Sequence, residues 1–124
     1  MHDLGVMKFT DLIAWQKAYD LSINVKSITD KFPPGEAKLV EQMRASSSSI
    51  PYNIAEGFGR FAAKEQAHFH SIARGSADEL KVQRMQSREW GYCRDANALI
   101  SLADEVCAML YVFRKKVLER DSER

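Results

Sequence analysis

The chain has 124 residues, of which 45% are hydrophobic, and this is enough material for one core and too little for two ordinary domains. Its 18 basic and 17 acidic residues leave a formal net charge of +1, so overall charge does not favour nucleic acid or membrane as a partner. The N-terminus lacks the pattern of a secretory signal, and the longest wholly apolar run, residues 106–113, is too short to cross a bilayer. We therefore expect one cytoplasmic domain spanning residues 1–124, with no contact to a membrane.

Three breaks that contain glycine or proline divide the chain, at residues 32–35, 57–59 and 91–93. The four segments between them are rich in good helix formers and show no alternating strand pattern. Short breaks between long helices place neighbouring helices antiparallel. The sequence thus predicts an all-α fold, an up-and-down antiparallel four-helix bundle with a kinked second helix. The predicted helices cover residues 11–32, 36–57, 62–90 and 95–120.

The first predicted helix carries two apolar rows. One row steps by three and four residues, as a bundle core requires: Ala14, Ala18, Leu21, Val25, Ile28 and Phe32. The other row lies on nearly the opposite side of the helix, at about 100° per residue, and consists of Leu12, Trp15, Tyr19 and Ile23. One core cannot cover both rows, so we predict that the second row is an oligomer interface. The alternative is that Trp15 caps one end of the core.

The second predicted helix contains four consecutive serines, residues 46–49, followed by Pro51, a composition typical of a linker. Apolar residues nevertheless continue across it at helical spacing, which favours a bent helix. Pro51 leaves the carbonyl of Ser47 without its helical donor, and nearby serine hydroxyls are expected to help satisfy the freed groups. Small side chains here and at residues 75–77, including Gly75, are expected to allow close approach of the second and third helices.

Asn53, Glu56 and Gly57 end the second helix and are interpreted as a structural motif together with Pro51 and Gly75. If Glu56 is buried, it requires a cationic partner such as Arg44 or Arg74. The run Gly57-Phe58-Gly59-Arg60 precedes a helix N-terminus, where free amides can hold a phosphate. A glycine-permitted turn between antiparallel helices explains the same residues equally simply.

The third predicted helix carries four cations within about 80° of one another: Arg74, Lys81, Arg84 and Arg88. We predict that they form an exposed basic stripe which, with Arg60, binds nucleic acid. The alternative is a solvated face that serves solubility. The fourth helix repeats the core pattern of the first, with Ala96, Leu99, Ala103, Val106, Leu110, Phe113 and Val117, and the two seams are expected to face each other.

No constellation of catalytic or metal-binding residues is apparent. Glu65 and His68 form a single Glu-x-x-His motif, whereas di-metal bundles need a second one. Ser71 near His68 lacks an orienting acid, and Cys93 and Cys107 are isolated thiols typical of a reducing compartment. We therefore predict that the protein is not an enzyme and has no catalytic residue, metal or cofactor.

Three separated blocks, residues 11–18, residues 49–57 and residues 64–80, stand in the order and spacing of a known family. Within them are Asp-Leu-Ile-Ala-Trp-Gln-Lys-Ala, then Ser-Ile-Pro-Tyr-Asn-Ile-Ala-Glu-Gly, and then Lys64-Glu65, Phe69 and the run from Ile72 to Leu80. The chain resembles the four-helix-bundle proteins encoded in intervening sequences of bacterial 23S rRNA genes. The resemblance implies an up-and-down bundle and a homopentamer arranged as a ring.

The chain departs from that family at two places. Ala62-Ala63 stands where Ser or Thr commonly precedes the third helix, so that helix loses a good N-cap. Tyr52 replaces a small residue after the proline, and its ring either alters packing or is exposed to a partner. Accessory proteins of diversity-generating retroelements are similar in bundle shape, bind a reverse transcriptase and associate with nucleic acid through a strongly basic surface. With a net charge of +1, this chain lacks their overall basicity.

The predicted function is a non-catalytic oligomeric scaffold that binds RNA, DNA or a nucleic-acid-processing protein. The alternative is a protein-binding ring in which the basic stripe has no role. Salt dependence separates the two, because phosphate contacts weaken steeply as salt is added and apolar contacts do not.

Overall fold

The computed structural model describes residues 7–94 and 97–123, and within those ranges the chain is helical with no strand. The four long helices are α1 (Ile13–Thr29), α2 (Ala37–Phe58), α3 (Ala63–Glu89) and α4 (Asn97–Ser122). Short 3₁₀ helices at Phe9–Asp11 and Pro34–Glu36 precede α1 and α2. Every helix boundary lies within three residues of its predicted position, and the all-α prediction is confirmed.

The helices form a four-helix bundle in which each packs against its neighbours in sequence. α1 also packs against α4, and within the described residues the diagonal pairs make no contact. Hydrogen bonds from Ser46 to Glu79 and from Ser76 to Ser49 run in opposite order along α2 and α3, so these two helices are antiparallel. Lys81–Asp104 and Arg114–Ser71 show the same for α3 and α4.

The predicted core seams are confirmed. Most members are buried: Ala14, Ala18, Leu21, Val25 and Phe32 of the first seam and Leu99, Ala103, Val106, Leu110 and Val117 of the last. Ile28 and Phe113 are partly buried against the same cluster. Ala96 lies outside the described residues. α2 and α3 complete the core with Met43, Ile50, Ile54, Ala73, Ala77 and Leu80.

Two turns at one end of the bundle stop α1 and α3. Pro33 disfavours helical geometry in the residue before it, and α1 ends at Thr29, three residues earlier than predicted. The Phe32 amide then donates to the Thr29 carbonyl at 3.1 Å, which closes a tighter turn. After α3 the chain reverses at Gly91, whose φ of 83° lies in the left-handed region. The Tyr92 amide then donates to the Ser87 carbonyl at 2.9 Å, as in a Schellman cap.

α2 runs unbroken across the serine run and Pro51, and both Ser47 and Pro51 are buried. The Ser47 hydroxyl donates to the Arg44 carbonyl at 3.1 Å, and the Asn53 amide donates to the Ser49 carbonyl at 2.7 Å. Neither acceptor is the Ser47 carbonyl that Pro51 leaves without its helical donor, so these bonds do not test the expectation that serine hydroxyls satisfy the freed group.

Candidate assembly groove and the predicted basic residues

An apolar groove lies on the outside of the bundle between α1 and α2. We call it the α1–α2 groove; its aromatic and aliphatic lining comprises Phe9, Trp15, Tyr19, Ile23, Pro51 and Tyr52, and it encloses about 470 Å³. Trp15 stacks on Tyr19 with ring centroids 5.1 Å apart and 16° between the planes. Phe9 contacts Trp15 edge-on at the same separation. Aromatic pairs in these geometries are favourable beyond the area they bury, so the rings form an ordered wall.

Much of this wall is open to solvent. Tyr19 is 47% exposed, Ile23 54% and Tyr52 73%. The small residues Ser48 and Ala55 also line the groove from α2. The groove is therefore lined mainly by large apolar side chains, and such a surface can accept side chains from another molecule.

One rim of the groove carries an ion-pair network. The Asp30 carboxylate forms ion pairs with the Lys26 Nζ at 2.7 Å and with the Arg44 Nη2 at 2.8 Å. The Arg44 Nε also donates to the Thr29 hydroxyl at 2.9 Å. The hydrogen bond from Lys26, with a smaller contribution from Arg44, lowers the pKa of Asp30 below its ordinary value. Both cations share this single carboxylate, so the network keeps one uncompensated positive charge.

The predicted interface row is only partly brought together by the fold. Trp15, Tyr19 and Ile23 line the α1–α2 groove, whereas Leu12 lines a different pocket at the end of the bundle. Trp15 is also partly buried against the core. Phe9 and Tyr52 complete the groove; the unusual Tyr52 was a signal of this in the sequence, and Phe9 was not recognised.

The predicted basic stripe is not an exposed surface. Arg84 is fully buried, and its Nη1 donates to the Cys93 sulfur at 2.6 Å. Its Nε and Nη2 have no hydrogen-bond partner among the described residues. The prediction that Arg84 is part of a solvent-facing stripe is therefore wrong, because this position of α3 faces the interior of the bundle.

The other cations of the stripe are largely engaged within the chain. Lys81 pairs with Asp104 at 2.8 Å and with Asp78 at 3.1 Å, and the bond to Asp104 is the main reason that its pKa is raised far above its ordinary value. The half-buried Arg74 lies over the Tyr111 ring at 5.5 Å.

Arg88 and Arg60 are both exposed, and they lie at opposite ends of α3. Arg60 pairs with Glu56 at 2.8 Å and lies 5.0 Å from the centre of the Phe69 ring. These two cations therefore do not join Arg74 and Lys81 in one continuous surface.

The polar motif at the end of α2 is held differently from the prediction. Glu56 is exposed and pairs with Arg60, not with Arg44 or Arg74. Gly57 is buried where α2 meets α3, and a Cβ atom there would lie 3.1 Å from the Phe69 Cβ, so close packing explains this glycine. Gly75 is exposed with no neighbour within 4 Å of such a Cβ, and the expectation that it allows close helix approach is wrong.

Serines do mediate the contact between α2 and α3. The Ser46 hydroxyl donates to the Glu79 carboxylate at 2.5 Å, and the Ser76 hydroxyl donates to the Ser49 hydroxyl at 2.8 Å. Small side chains allow the two helices to approach closely, and their hydroxyl groups form hydrogen bonds across the contact, as the run of serines indicates.

The groups considered for catalysis do not come together. His68 is exposed, and Ser71 accepts a hydrogen bond from the Arg114 Nε at 3.0 Å. Burial raises the pKa of both thiols, Cys93 and Cys107, which makes them weaker nucleophiles at neutral pH. Within residues 7–94 and 97–123, no three His, Cys, Asp or Glu side chains are placed to hold a metal ion. None of the described helices is both long enough and apolar enough to cross a membrane.

Comparison with known families places this fold. The family model described as 23S rRNA-intervening sequence protein matches residues 10–112, which includes α1, α2, α3 and most of α4. The chain belongs to this family. The match confirms the resemblance read from the three sequence blocks, and it covers every residue of the α1–α2 groove except Phe9. A search of the curated proteins finds no match.

Proposed function

We propose that this member of the 23S rRNA-intervening sequence protein family is a non-catalytic scaffold subunit that assembles with copies of itself through the α1–α2 groove. The observation that carries the proposal is the wall of exposed Tyr19, Tyr52 and Ile23 beside the partly buried Trp15. Fully burying one side chain of this kind contributes roughly 1.5–3 kcal/mol, so covering the wall provides a substantial driving force for association. The exposed aromatic rings are of the types enriched in interfaces.

The family resemblance favours a ring of five subunits. In a ring with an odd number of subunits, the same surface cannot pair with itself, so the groove has to meet a different face of the next subunit. Val82 and Met85 are exposed on α3, which lies diagonally across the bundle from α1. We therefore propose that this α3 face enters the α1–α2 groove of the neighbouring subunit.

The test uses three substitutions of exposed apolar residues, Ile23→Lys in the groove, Met85→Lys on α3 and Val112→Lys on α4 as the control. Light scattering after gel filtration gives the native mass. The proposal predicts that the first two variants lose the assembly and that the control keeps it.

Mixing the two defective variants separates a ring from a symmetric dimer. Each variant retains the face that the other has lost, so a mixture of Ile23→Lys and Met85→Lys should form a heterodimer through one intact contact. Failure of the mixture to associate, with both single variants monomeric, refutes the pairing of these two faces. Unchanged mass in all three variants refutes the groove as an interface.

Nucleic-acid binding is retained as a second candidate, on a different surface from the predicted stripe. Arg114, Lys115 and Lys116 are consecutive and exposed near the end of α4, and no described carboxylate pairs with them. At the same end, the fully exposed Phe61 lines a surface pocket with Arg120. Cations beside an exposed aromatic ring are the elements that single-stranded nucleic acids recognise.

A titration of single-stranded RNA and DNA at low and near-physiological salt tests this second candidate. Binding should weaken steeply with salt and should fall in the double variant Arg114→Gln/Lys115→Gln. Loss of the two charges without any change in binding would refute it.

A further inference from the structure

A separate pocket lies at the end of the bundle where α2 turns into α3. It encloses about 530 Å³ between Met7 and Leu12, which precede α1, and the last turns of α4. Its walls are mainly apolar and include Leu12, Phe58, Phe113 and Val117. This volume lies within the ordinary range for sites that hold small organic molecules, roughly 300–1,000 Å³.

The base of this end pocket contains a buried histidine. His70 is 7% exposed, and its ring lies 6.1 Å from that of Phe113. Gly57 permits α2 to close over this ring, since a Cβ atom there would lie 3.4 Å from the His70 Cδ2. Burial lowers the pKa of His70, so the imidazole is neutral at pH 7.

The His70 Nδ1 is enclosed and has no hydrogen-bond partner among the described residues. Native proteins rarely leave a buried polar atom in this state, because its lost hydration is not replaced. This enclosed nitrogen is not a contact of the ligand proposed below.

The mouth of the end pocket is cationic. Lys116 and Arg120 lie one turn apart on α4, are exposed, and line the pocket. No carboxylate belongs to the described lining, and neither cation forms an ion pair with a described residue. An apolar cavity with two unneutralised cations at its entrance favours a ligand with an apolar body and one negative group.

We propose that the end pocket binds an amphiphilic carboxylate, with its apolar body against Leu12, Phe113 and Val117 and its carboxylate between Lys116 and Arg120. The site is distinct from the α1–α2 groove, which shares none of its lining residues. Binding here does not depend on whether the protein assembles.

Decanoate is a suitable probe, and decanol is the matched molecule without charge. Isothermal titration of the full chain measures both, and the histidine ring signals of His70 in NMR spectra report whether the ligand reaches the pocket. Cations near a helix C-terminus also favour the helix dipole, so stability alone is not an adequate readout for variants of Lys116 and Arg120.

The decisive comparison removes two charges in two ways. Lys116→Gln/Arg120→Gln empties the mouth of cations, whereas Arg114→Gln/Lys115→Gln removes two exposed charges from the same helix that do not line the pocket. We expect the first double variant to bind decanoate about tenfold more weakly and the second to bind it nearly as well as the unmodified chain. Decanol should bind weakly and equally to all three.

Three results would overturn the proposal. They are no binding of decanoate to the unmodified chain, equal loss in both double variants, or decanoate binding that does not shift the His70 signals. The native mass of the Lys116→Gln/Arg120→Gln variant should remain that of the unmodified protein, which separates this site from the assembly groove.

Discussion

Replacing the buried Arg84 by methionine is expected to stabilise the protein. Arg84 has no exposed surface, and two of its three guanidinium nitrogens, Nε and Nη2, have no partner among the described residues. A buried polar group without a partner costs about 1–3 kcal/mol, and methionine fills much of the same space without polar hydrogens. The substitution loses the bond to the Cys93 sulfur, a weak acceptor. The expected net gain in the free energy of unfolding is about 1–3 kcal/mol.

Urea and thermal unfolding followed by circular dichroism measure this change, at one fixed protein concentration because assembly makes stability concentration-dependent. For a chain of this size, each kcal/mol raises the melting temperature by roughly 4 °C. Arg88→Met is the control, because Arg88 is exposed on the same helix and its replacement should change stability by less than about 0.5 kcal/mol. A loss of about 3–5 kcal/mol in Arg84→Met would refute the reasoning, since a loss that large shows a guanidinium compensated by a carboxylate.

Four further substitutions test the packing and the polar groups. Gly57→Ala should destabilise the protein by about 1–3 kcal/mol, because the added Cβ would lie 3.1 Å from the Phe69 Cβ. Gly75→Ala should stabilise it by about 0.5–1 kcal/mol, because this helical position is exposed and has space for a methyl group. Chemical unfolding measures both changes. His70→Gln should reduce the loss of stability on acidification. The pKa of His70 is lowered in the folded state, so the unfolded chain binds more protons than the folded chain as the pH falls below about 6.5. Unfolding curves of both proteins between pH 7.5 and pH 5 measure the difference. Tyr92→Phe should lower the melting temperature slightly, because it removes the 2.7 Å hydrogen bond to Glu36, and thermal unfolding measures the change.

Each of these has a result that contradicts it. Equal effects of the two glycine substitutions would mean that α2 and α3 are not in close contact at Gly57. The exposed His68 is the control for His70, and a His68→Gln variant with the same reduced acid sensitivity would show that burial is not the cause. An unchanged melting temperature in Tyr92→Phe would mean that hydrogen bonds to water replace the one between Tyr92 and Glu36 at no cost in stability.

Periodicity along the chain was sufficient to predict the helices and the two core seams. Residues such as Leu21 in α1 and Val106 in α4 recur at steps of three and four, and this spacing specifies one buried face without reference to other helices. The ends were less predictable where a proline acts on its neighbour, as Pro33 does at the end of α1.

The prediction of an exposed basic stripe was wrong because the angular position of a residue on one helix does not indicate which side of that helix faces solvent. The signal was nevertheless present, since Ala77, Leu80 and Arg84 continue a core pattern with steps of three and four. A guanidinium is exposed on average, and only its burial in the assembled bundle shows that Arg84 is enclosed.

The α1–α2 groove was half predicted. The row on α1 was visible in the sequence, but the opposing wall needs the register between two helices, which brings Tyr52 beside Tyr19. The end pocket was not predicted at all, because it requires the ends of all four helices to meet, and none of Leu12, His70 or Arg120 is distinctive within its own segment.

The mass of the unmodified protein in native mass spectrometry tests the central claim most directly. A scaffold that assembles through the α1–α2 groove should give one dominant species at five times the 14.1 kDa chain mass, present down to micromolar concentration. A spectrum that contains only the single chain at every concentration would contradict the account, because the exposed Tyr19, Ile23 and Tyr52 of the groove would then have no second copy to cover them.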